Sequence, residues 1–380
     1  MKFKLLVASV ALATAQVQAG GFENARLDTS FMYDEGNLVS FGSVRKDFTV
    51  NGSSFGTTGS LIGDRNASNL SARYEVNDQL SFGLTSYDSG AIHINYQGAG
   101  GSALVNARGP KVDLTADSVA LLSRYALSEG LSITAGARYD KFRVTNADIF
   151  KLTIASANPA LLATHVSPQV SSETDLVPVA ALAYQIPDIA LRAELLYQGR
   201  SYVEMPTTCS LAALGQACTP SPVSTGGLAE YLTLNFQTGI MEDTLLLASI
   251  HKGKWSKSQL SVADTENPAL LQDGPTSAFS DSTEYSVGLA RKINDSLAVS
   301  ASYNWEKAGS GTTTSLFTIN DGYKGITLGA RYVIEDLELS VGYNYTELGD
   351  VNYSNTSGSL TNELRDNKVQ AIGAKVAFRF

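Results

Sequence analysis

The residues that could support catalysis are few and dispersed. His93, His165 and His251 lie far apart in the sequence, and no serine lies in the strand-to-helix elbow that exposes the nucleophile of a lipase. A structural zinc site needs about four nitrogen or sulfur ligands, and the sequence does not bring such a set together. We therefore predict no catalytic residue, no metal site and no cofactor.

Three arginines could instead bind an anionic group. Arg138, Arg192 and Arg331 lie in the middle of stretches that alternate between apolar and polar residues, on the polar side. A buried cation needs a negatively charged partner. That partner is either the carboxylate of a ligand or an acidic side chain of the same polar face. The acidic candidates are Asp140, Glu194 and Glu338.

The first nineteen residues have the pattern of a secretory signal. Lys2 and Lys4 precede an apolar stretch from Leu5 to Ala15, and the small-residue site Val17-Gln18-Ala19 follows. Mature chains would begin at Gly20. The net charge of −9 becomes −11 when the two signal lysines are removed, and this acidity argues against a nucleic-acid partner.

The two cysteines, Cys209 and Cys218, lie in one loop that contains proline and serine. An even number of cysteines in an exported protein favours a disulfide. We therefore predict a Cys209–Cys218 bridge that closes a short loop.

The elements that position these residues are best defined at the C-terminus. Successive side chains of a strand point to opposite faces, and the last strand separates an apolar face from a small or cationic one. The apolar face comprises Ile372, Ala374, Val376, Phe378 and Phe380, and the other face comprises Gly373, Lys375, Ala377 and Arg379. This pattern is typical of the closing strand of an outer-membrane barrel. A half-buried edge strand of a soluble protein is the alternative.

Fourteen alternating runs, bounded by turn residues, can be counted along the chain. They are predicted at Leu38–Phe48, Asn69–Val76, Leu80–Tyr96, Ala116–Leu127, Leu131–Val144, Thr174–Gln185, Ala190–Met205, Gly227–Ile240, Thr244–Val262, Ser282–Ile293, residues 297–306, 326–332 and 337–345, and the closing stretch. The sixth, eighth and ninth runs alternate poorly. No run of eighteen apolar residues follows the signal, so no spanning helix is predicted.

The connections alternate in length. Those after even-numbered runs are short, such as Asn77-Asp78-Gln79 and Glu335-Asp336, whereas those after odd-numbered runs are long and rich in Gly, Ser, Thr, Asn and Pro. An up-and-down barrel with both termini in the periplasm requires this order, and a soluble sandwich does not. We predict an all-β transmembrane antiparallel β-barrel of about 14 strands over residues 38–380, preceded by a short hatch segment, 20–37, in the lumen.

The sequence resembles the FadL-type outer-membrane family, which contains long-chain fatty acid transporters and channels for aromatic hydrocarbons. The similarity is carried by the mature start GGF, the interrupted run LSFGLTSYDSGAIHINY, the stretch ALRAELLYQGRSYVEM, the Lys254-Trp255-Ser256 triplet, the hairpin GITLGARYVIEDLELSVGYNYTELGD and the Phe-terminated last strand. It extends over nearly the whole mature chain, although each motif is degenerate.

The resemblance implies a monomeric barrel that moves a hydrophobic molecule passively. The ligand would be captured by extracellular loops, held in an apolar pocket beside the hatch and released laterally through a kink in the third strand. The pocket would contain Phe22, Phe31, Met32 and Tyr33, and the arginines named above would face a ligand carboxylate. The kink is assigned to Asp88, Ser89 and Gly90, since glycine in a strand often marks a bulge.

Capture and assembly have their own candidates. Apolar loop stretches that begin near Asn-Pro lie at residues 157–166 and 267–271, and exposed apolar clusters are typical of binding surfaces. The partners implied are a fatty acid, outer-membrane lipid and lipopolysaccharide, and the barrel-assembly machinery through Phe380.

One departure from the family is the N-terminus, where barely eighteen residues precede the first run and no proline occurs before Pro110. A channel for other apolar compounds, a general diffusion porin and a barrel-embedded lipid hydrolase stay open as alternatives.

Overall fold

The computed structural model confirms the fold class. It describes residues 21–52, 60–96, 111–152, 163–168, 172–211, 216–217, 223–263, 277–354 and 361–380. Fourteen of its strands form the barrel: β1 Leu38–Thr49, β2 Arg65–Glu75, β3 Leu80–Asn95, β4 Lys111–Ala126, β5 Leu131–Leu152, β6 Ser172–Ile186, β7 Leu191–Gln198, β8 Tyr231–Met241, β9 Thr244–Gly253, β10 Ser282–Lys292, β11 Leu297–Glu306, β12 Tyr323–Ile334, β13 Leu337–Leu348 and β14 Lys368–Arg379.

Each barrel strand pairs antiparallel with its neighbours in sequence, and β14 closes the ring by pairing with both β13 and β1. The last strand is therefore the closing strand, as its alternation predicted. The amide of Phe380 also donates a hydrogen bond to the carbonyl of Asn37. Because β14 pairs with β1, neither the first nor the last strand presents an unpaired edge to lipid.

Alternation places apolar side chains on the outer surface. On β14, Ile372, Val376 and Phe378 are exposed, and the same holds for Phe41 on β1 and Leu328 on β12. A continuous apolar exterior on a closed barrel identifies the protein as an outer-membrane β-barrel. Among the described residues, no helix is long and apolar enough to cross a membrane.

Three predicted runs were too long: the eighth began at Gly227, whereas β8 begins at Tyr231, and two others ended too late. The seventh and ninth runs were extended to Met205 and Val262, whereas β7 ends at Gln198 and β9 ends at Gly253. Beyond β7 the alternation continues in the separate strand Val203–Leu211. This strand pairs with Val223–Gly226, and neither is one of the fourteen barrel strands. Because β7 and Val203–Leu211 each have one buried face, their alternation gave no sign of the boundary between them.

The remaining elements lie in the long connections and at the short turns. Further strands are Ala163–Pro168, Gln216–Ala217, Ser261–Ala263, Thr312–Thr313, Val351–Ser354 and Thr361–Leu364, and the 3-10 helices are Ser30–Tyr33, Pro187–Ile189 and Trp255–Lys257. Two large apolar clusters lie in the interior among the described residues, beside a small one of Ala190, Leu245 and Ala290. The upper cluster includes Phe22, Phe48, Ile92, Trp255 and Phe279. The lower cluster, nearer the short turns, includes Leu27, Phe31, Met32, Tyr87 and Leu122.

Candidate functional site

The barrel wall is incomplete between β2 and β3. β2 pairs with β3 only from Asn69 opposite Tyr87 to Glu75 opposite Ser81. Farther out, the register of β3 against β4 shifts between Tyr87 and Gly90, so the predicted break in the third run lies at a β-bulge. Bulges bend a strand and end its pairing. The unpaired space between residues 65–68 of β2 and 88–92 of β3 is called the wall gap below.

Short contacts bound the wall gap above and below. At its outer end the amide of Gly63 donates to the carbonyl of His93 at 2.9 Å, and the amide of Asn95 donates to Leu61 at 3.0 Å. At its inner end the Asp88 carboxylate accepts hydrogen bonds from the amide and hydroxyl of Ser68, at 2.8 and 3.0 Å. The gap is therefore a closed window in the wall rather than a split along its full height.

Residues Phe22 to Asn24 occupy this window. The amide of Asn24 donates to the carbonyl of Ser89 at 2.9 Å, and the amide of Ala91 donates to the carbonyl of Phe22 at 2.9 Å. On the other side, the Asn24 side-chain amide donates to the carbonyl of Asn66 at 3.2 Å. Three residues from the start of the chain thus replace the missing pairing between β2 and β3.

From the wall gap the chain descends through the barrel as the lumen segment, residues 21–37. Leu27, Phe31 and Met32 are buried in the lower cluster. The Glu194 carboxylate on β7 accepts hydrogen bonds from the hydroxyl of Thr29, at 2.8 and 2.9 Å, and from that of Tyr33, at 2.7 Å. Both polar and apolar contacts therefore hold this segment against the inner wall.

Buried charges connect the lumen segment to the opposite wall. Arg26 pairs with Glu23 at 3.1 Å and with Glu284 on β10. His251 on β9 places Nε2 3.4 Å from Glu23, and its Nδ1 lies 2.8 Å from the Thr233 hydroxyl. Burial alone would raise the pKa of Glu23, but His251 and Arg26 outweigh it and hold the pKa below its ordinary value.

The same cluster contains three possible metal ligands that the sequence had left apart. Donor atoms of Glu23, His251 and Glu284 lie within 4.8 Å of one another. Arg26 already places a positive charge against both carboxylates. Folding therefore builds an ion-pair network here from residues that are widely separated in sequence.

Aromatic rings surround the outer side of the wall gap. The ring of Phe22 lies 5.1 Å from that of Trp255 and 6.1 Å from that of Phe279, measured between centroids. Trp255 is fully buried, and it belongs to the Trp-Ser pair on which the resemblance partly rests. Aromatic pairs at these separations are favourable beyond their buried area.

The three predicted ligand arginines have partners within the protein. Arg138 pairs with Asp140 at 2.7 Å and donates to Gln198 at 2.7 Å. Arg331 lies 3.1 Å from Glu338. The Arg192 guanidinium stacks on the ring of Tyr33 at 4.6 Å. For Arg138 and Arg331, this geometry supports pairing with an acidic side chain rather than with a ligand carboxylate. Arg192 instead contacts the lumen segment through Tyr33.

A cavity of 310 Å³ remains beside the lumen segment. Ala25 to Ser30 form one side of it, and the opposite wall presents mainly small hydroxyl and amide side chains, among them Thr85, Asn235, Ser302 and Asn344. This cavity is thus lined mainly by polar side chains, and its lining includes the charged residues Arg26, Asp28, Arg192, Glu194, Glu284 and Lys375.

Several predicted features lie outside what the structure describes. These are residues 1–20 with the predicted signal, the side chain of Cys209, the whole of Cys218, residues 157–162 of the first apolar loop stretch and all of the second, 267–271.

Comparisons with known proteins agree with this architecture. A search of curated proteins gave no match. A crystal structure of a Pseudomonas aeruginosa FadL homologue is similar over 93% of this chain and 92% of its own, with a TM-score of 0.74 and 12% identity. The P. putida toluene transporter TodX is similar over 92% of this chain and 91% of its own, with a TM-score of 0.62 and 14% identity. The Ralstonia pickettii toluene transporter TbuX is similar over 98% of this chain and 97% of its own, with a TM-score of 0.63 and 13% identity.

At these identities the likeness shows a shared fold, so the predicted FadL-type architecture is confirmed. A family model described as TonB dependent receptor-like, beta-barrel matches residues 11–213, more than half of the chain. The protein belongs to the TonB dependent receptor-like β-barrel family and has the fourteen-stranded fold of the FadL-type transporters.

Proposed function

We propose that this protein carries hydrophobic molecules across the bacterial outer membrane, with long-chain fatty acids as its main substrates. The observation that carries the proposal is the wall gap and its occupation by Phe22 to Asn24. A hole in the wall that faces lipid, closed only by a short terminal segment, suits a molecule that leaves sideways into the membrane. A water-soluble solute would gain nothing from such an exit.

The route begins outside and ends at the gap. The extracellular loops, including residues 157–166 and 267–271, capture the ligand, and the upper cluster then receives it. Phe22 belongs to that cluster, while Phe31, Met32 and Tyr33 hold the lumen segment below. Withdrawal of Phe22 to Asn24 joins the apolar interior to the bilayer through the bulge at Asp88, Ser89 and Gly90. Hydrophobic transfer drives each step without an energy source.

Two further features belong to this proposal. The lumen segment acts as the hatch, because its side chains fill the lower cluster between opposite walls. The barrel works as a monomer among outer-membrane lipid and lipopolysaccharide, and the exposed terminal aromatic pair Phe378 and Phe380, with centroids 6.0 Å apart, serves recognition by the assembly machinery.

Aromatic hydrocarbons are the second candidate substrates. The rings of Phe22, Trp255 and Phe279 converge at the gap, and stacked or tilted ring pairs favour aromatic ligands. The solved toluene transporters of similar fold are consistent with this candidate.

Reconstituted liposomes separate these functions. We expect accelerated transfer of a fluorescent long-chain fatty acid into the bilayer and slow swelling in small sugars. Rapid sugar flux without fatty acid transfer would identify a general porin. Faster transfer of toluene than of fatty acid would favour the second candidate. A purified barrel that cleaves acyl esters, and loses this on substitution of one Ser or His, would show an enzyme.

A further inference from the structure

Lys46 is a buried cation whose contacts come from the lumen segment. It lies on the inner face of β1 and is only 1% exposed. Its ammonium donates a hydrogen bond to the backbone carbonyl of Asn24 and lies 3.3 Å from the side-chain oxygen of the same residue. Lys46 therefore binds the residue that closes the wall gap.

Among the residues that the structure describes, the ammonium has no paired carboxylate. Within the described part of the chain, no acidic oxygen lies within 4 Å of it. Glu23 and Asp88 attract it from farther away, but Glu23 faces Arg26 and His251, and Asp88 accepts hydrogen bonds from Ser68.

A second cation lies directly across the strand pair. Arg65 is the Cα partner of Lys46 in the β1–β2 ladder, and like charges in such positions repel each other. The Nε atom of Arg65 is buried without a hydrogen-bond partner, and its guanidinium lies 4.9 Å from the ring of Phe48. Arg26 adds a further cation at longer range. Among the described residues, neither Lys46 nor Arg65 has an acidic oxygen within 4 Å, so both cations lie here without an ion-pair partner.

Apolar side chains adjoin these cations. Val44 and Phe48 flank Lys46 on the same face of β1, and both belong to the upper cluster with Phe22, Ile62 and Ile92. A buried cation at the edge of an apolar cluster matches a molecule with one anionic group and a long apolar body. None of the arginines predicted from the sequence combines these features.

We propose that Lys46 is the carboxylate-binding residue for an amphipathic acid, and that binding displaces Asn24 and so opens the wall gap. The inference rests on the proposed function and names the part of the ligand that acts as the trigger. The ammonium already makes a charge-assisted hydrogen bond to the neutral carbonyl, and a carboxylate in the same place adds the attraction of an opposite charge. The ligand therefore replaces the Asn24 carbonyl, and Phe22 to Asn24 lose one of their attachments to the wall.

The test compares palmitate with its uncharged methyl ester. Loss of one hydrogen bond to a charged group corresponds to about a 10- to 100-fold weaker affinity, so Lys46→Met should weaken palmitate binding by that factor and leave the ester unchanged. Lys46→Arg keeps the charge and should retain the preference for palmitate. Lys375→Met is the matched control, because Lys375 lies beside Asp28 at 3.9 Å, and it should bind both ligands as wild type does.

Hydrogen exchange reports the coupling. In the wild type, palmitate should accelerate exchange of the Asn24 and Ala91 amides, and the ester should not. Equal palmitate affinity in wild type and Lys46→Met, or equal losses for acid and ester, would overturn the inference while leaving transport of hydrophobic molecules intact. If wild type binds neither ligand, the proposed function fails together with the inference.

Discussion

Gly90 lies directly against Phe22: a Cβ atom built on Gly90 would be 3.0 Å from Cδ2 of the Phe22 ring and 3.1 Å from Cδ2 of Leu228. The absent side chain at the bulge is therefore what allows the lumen segment to occupy the wall gap. Glycine at such positions permits the close approach of another segment.

Gly90→Val should displace Phe22 and weaken closure of the gap. The added methyl groups overlap the Phe22 ring, and overpacking of this kind costs about 1–3 kcal/mol. We expect higher fatty acid transfer in liposomes and a red-shifted emission of Trp255, measured in a Trp305→Phe background that leaves Trp255 as reporter. Gly63→Ala is the control, since its nearest neighbour would be His93 Cβ at 3.4 Å. Unchanged emission in Gly90→Val would contradict the assigned contact.

Gly83 plays the corresponding part lower in the barrel. A Cβ atom there would lie 2.2 Å from the sulfur of Met32 and 2.8 Å from Cε2 of Phe31. Gly83→Val should therefore displace the helix Ser30–Tyr33 from the inner face of β3. We expect small sugars to pass faster in a swelling assay. A tight barrel with sugar flux equal to wild type would show that this helix does not obstruct the lumen.

Glu284→Gln should loosen the lumen segment from the opposite wall. The substitution removes one of the carboxylates that face Arg26, and breaking one partner out of a buried ion pair costs about 3–5 kcal/mol. Faster hydrogen exchange of the Asn24 amide is the expected result. Lys292→Gln, which breaks the exposed pair between Lys292 and Asp295, should leave that exchange unchanged. Equal exchange in Glu284→Gln and wild type would remove the network from the closing mechanism.

Acid should release the lumen segment through Glu23. The pKa of Glu23 in the docked segment is lower than the ordinary value of 4.5. Glu23 therefore binds a proton less readily in the docked segment than in the released one. The stabilisation is complete above 4.5 and is lost as the pH falls through the docked pKa. Trp255 emission in the Trp305→Phe background should report this transition, and Glu23→Gln should abolish it. A transition of equal midpoint and amplitude in Glu23→Gln would assign it to another group.

Local pattern predicted the barrel because most strands have one face in lipid, and an apolar residue then recurs at every second position within the strand. The bulge at Gly90 was visible for a similar reason, since Asp88-Ser89-Gly90 interrupts an apolar face. The ion pair between Arg26 and Glu284 and the position of Lys46 beside Asn24 could not be predicted from the sequence. They depend on how a segment without regular alternation lies across the closed barrel, and no local periodicity encodes that path.

The central claim is that Phe22 to Asn24 must leave the wall gap for transport. Glu23 and Gly90 form an antiparallel bridge, in which the residues on either side of them make the hydrogen bonds. The Cα atoms of such a non-hydrogen-bonded pair lie about 4.5 Å apart. A disulfide can span this separation. The pair Glu23→Cys and Gly90→Cys should block fatty acid transfer when oxidised and restore it when reduced.

The matched control is a disulfide between Ser71 and Thr85, partners on β2 and β3 below the gap, introduced as Ser71→Cys with Thr85→Cys. It should not alter transfer in either redox state. The account predicts redox-dependent transfer only for the Glu23 and Gly90 pair, and full transfer by that pair in its oxidised, cross-linked form would contradict it.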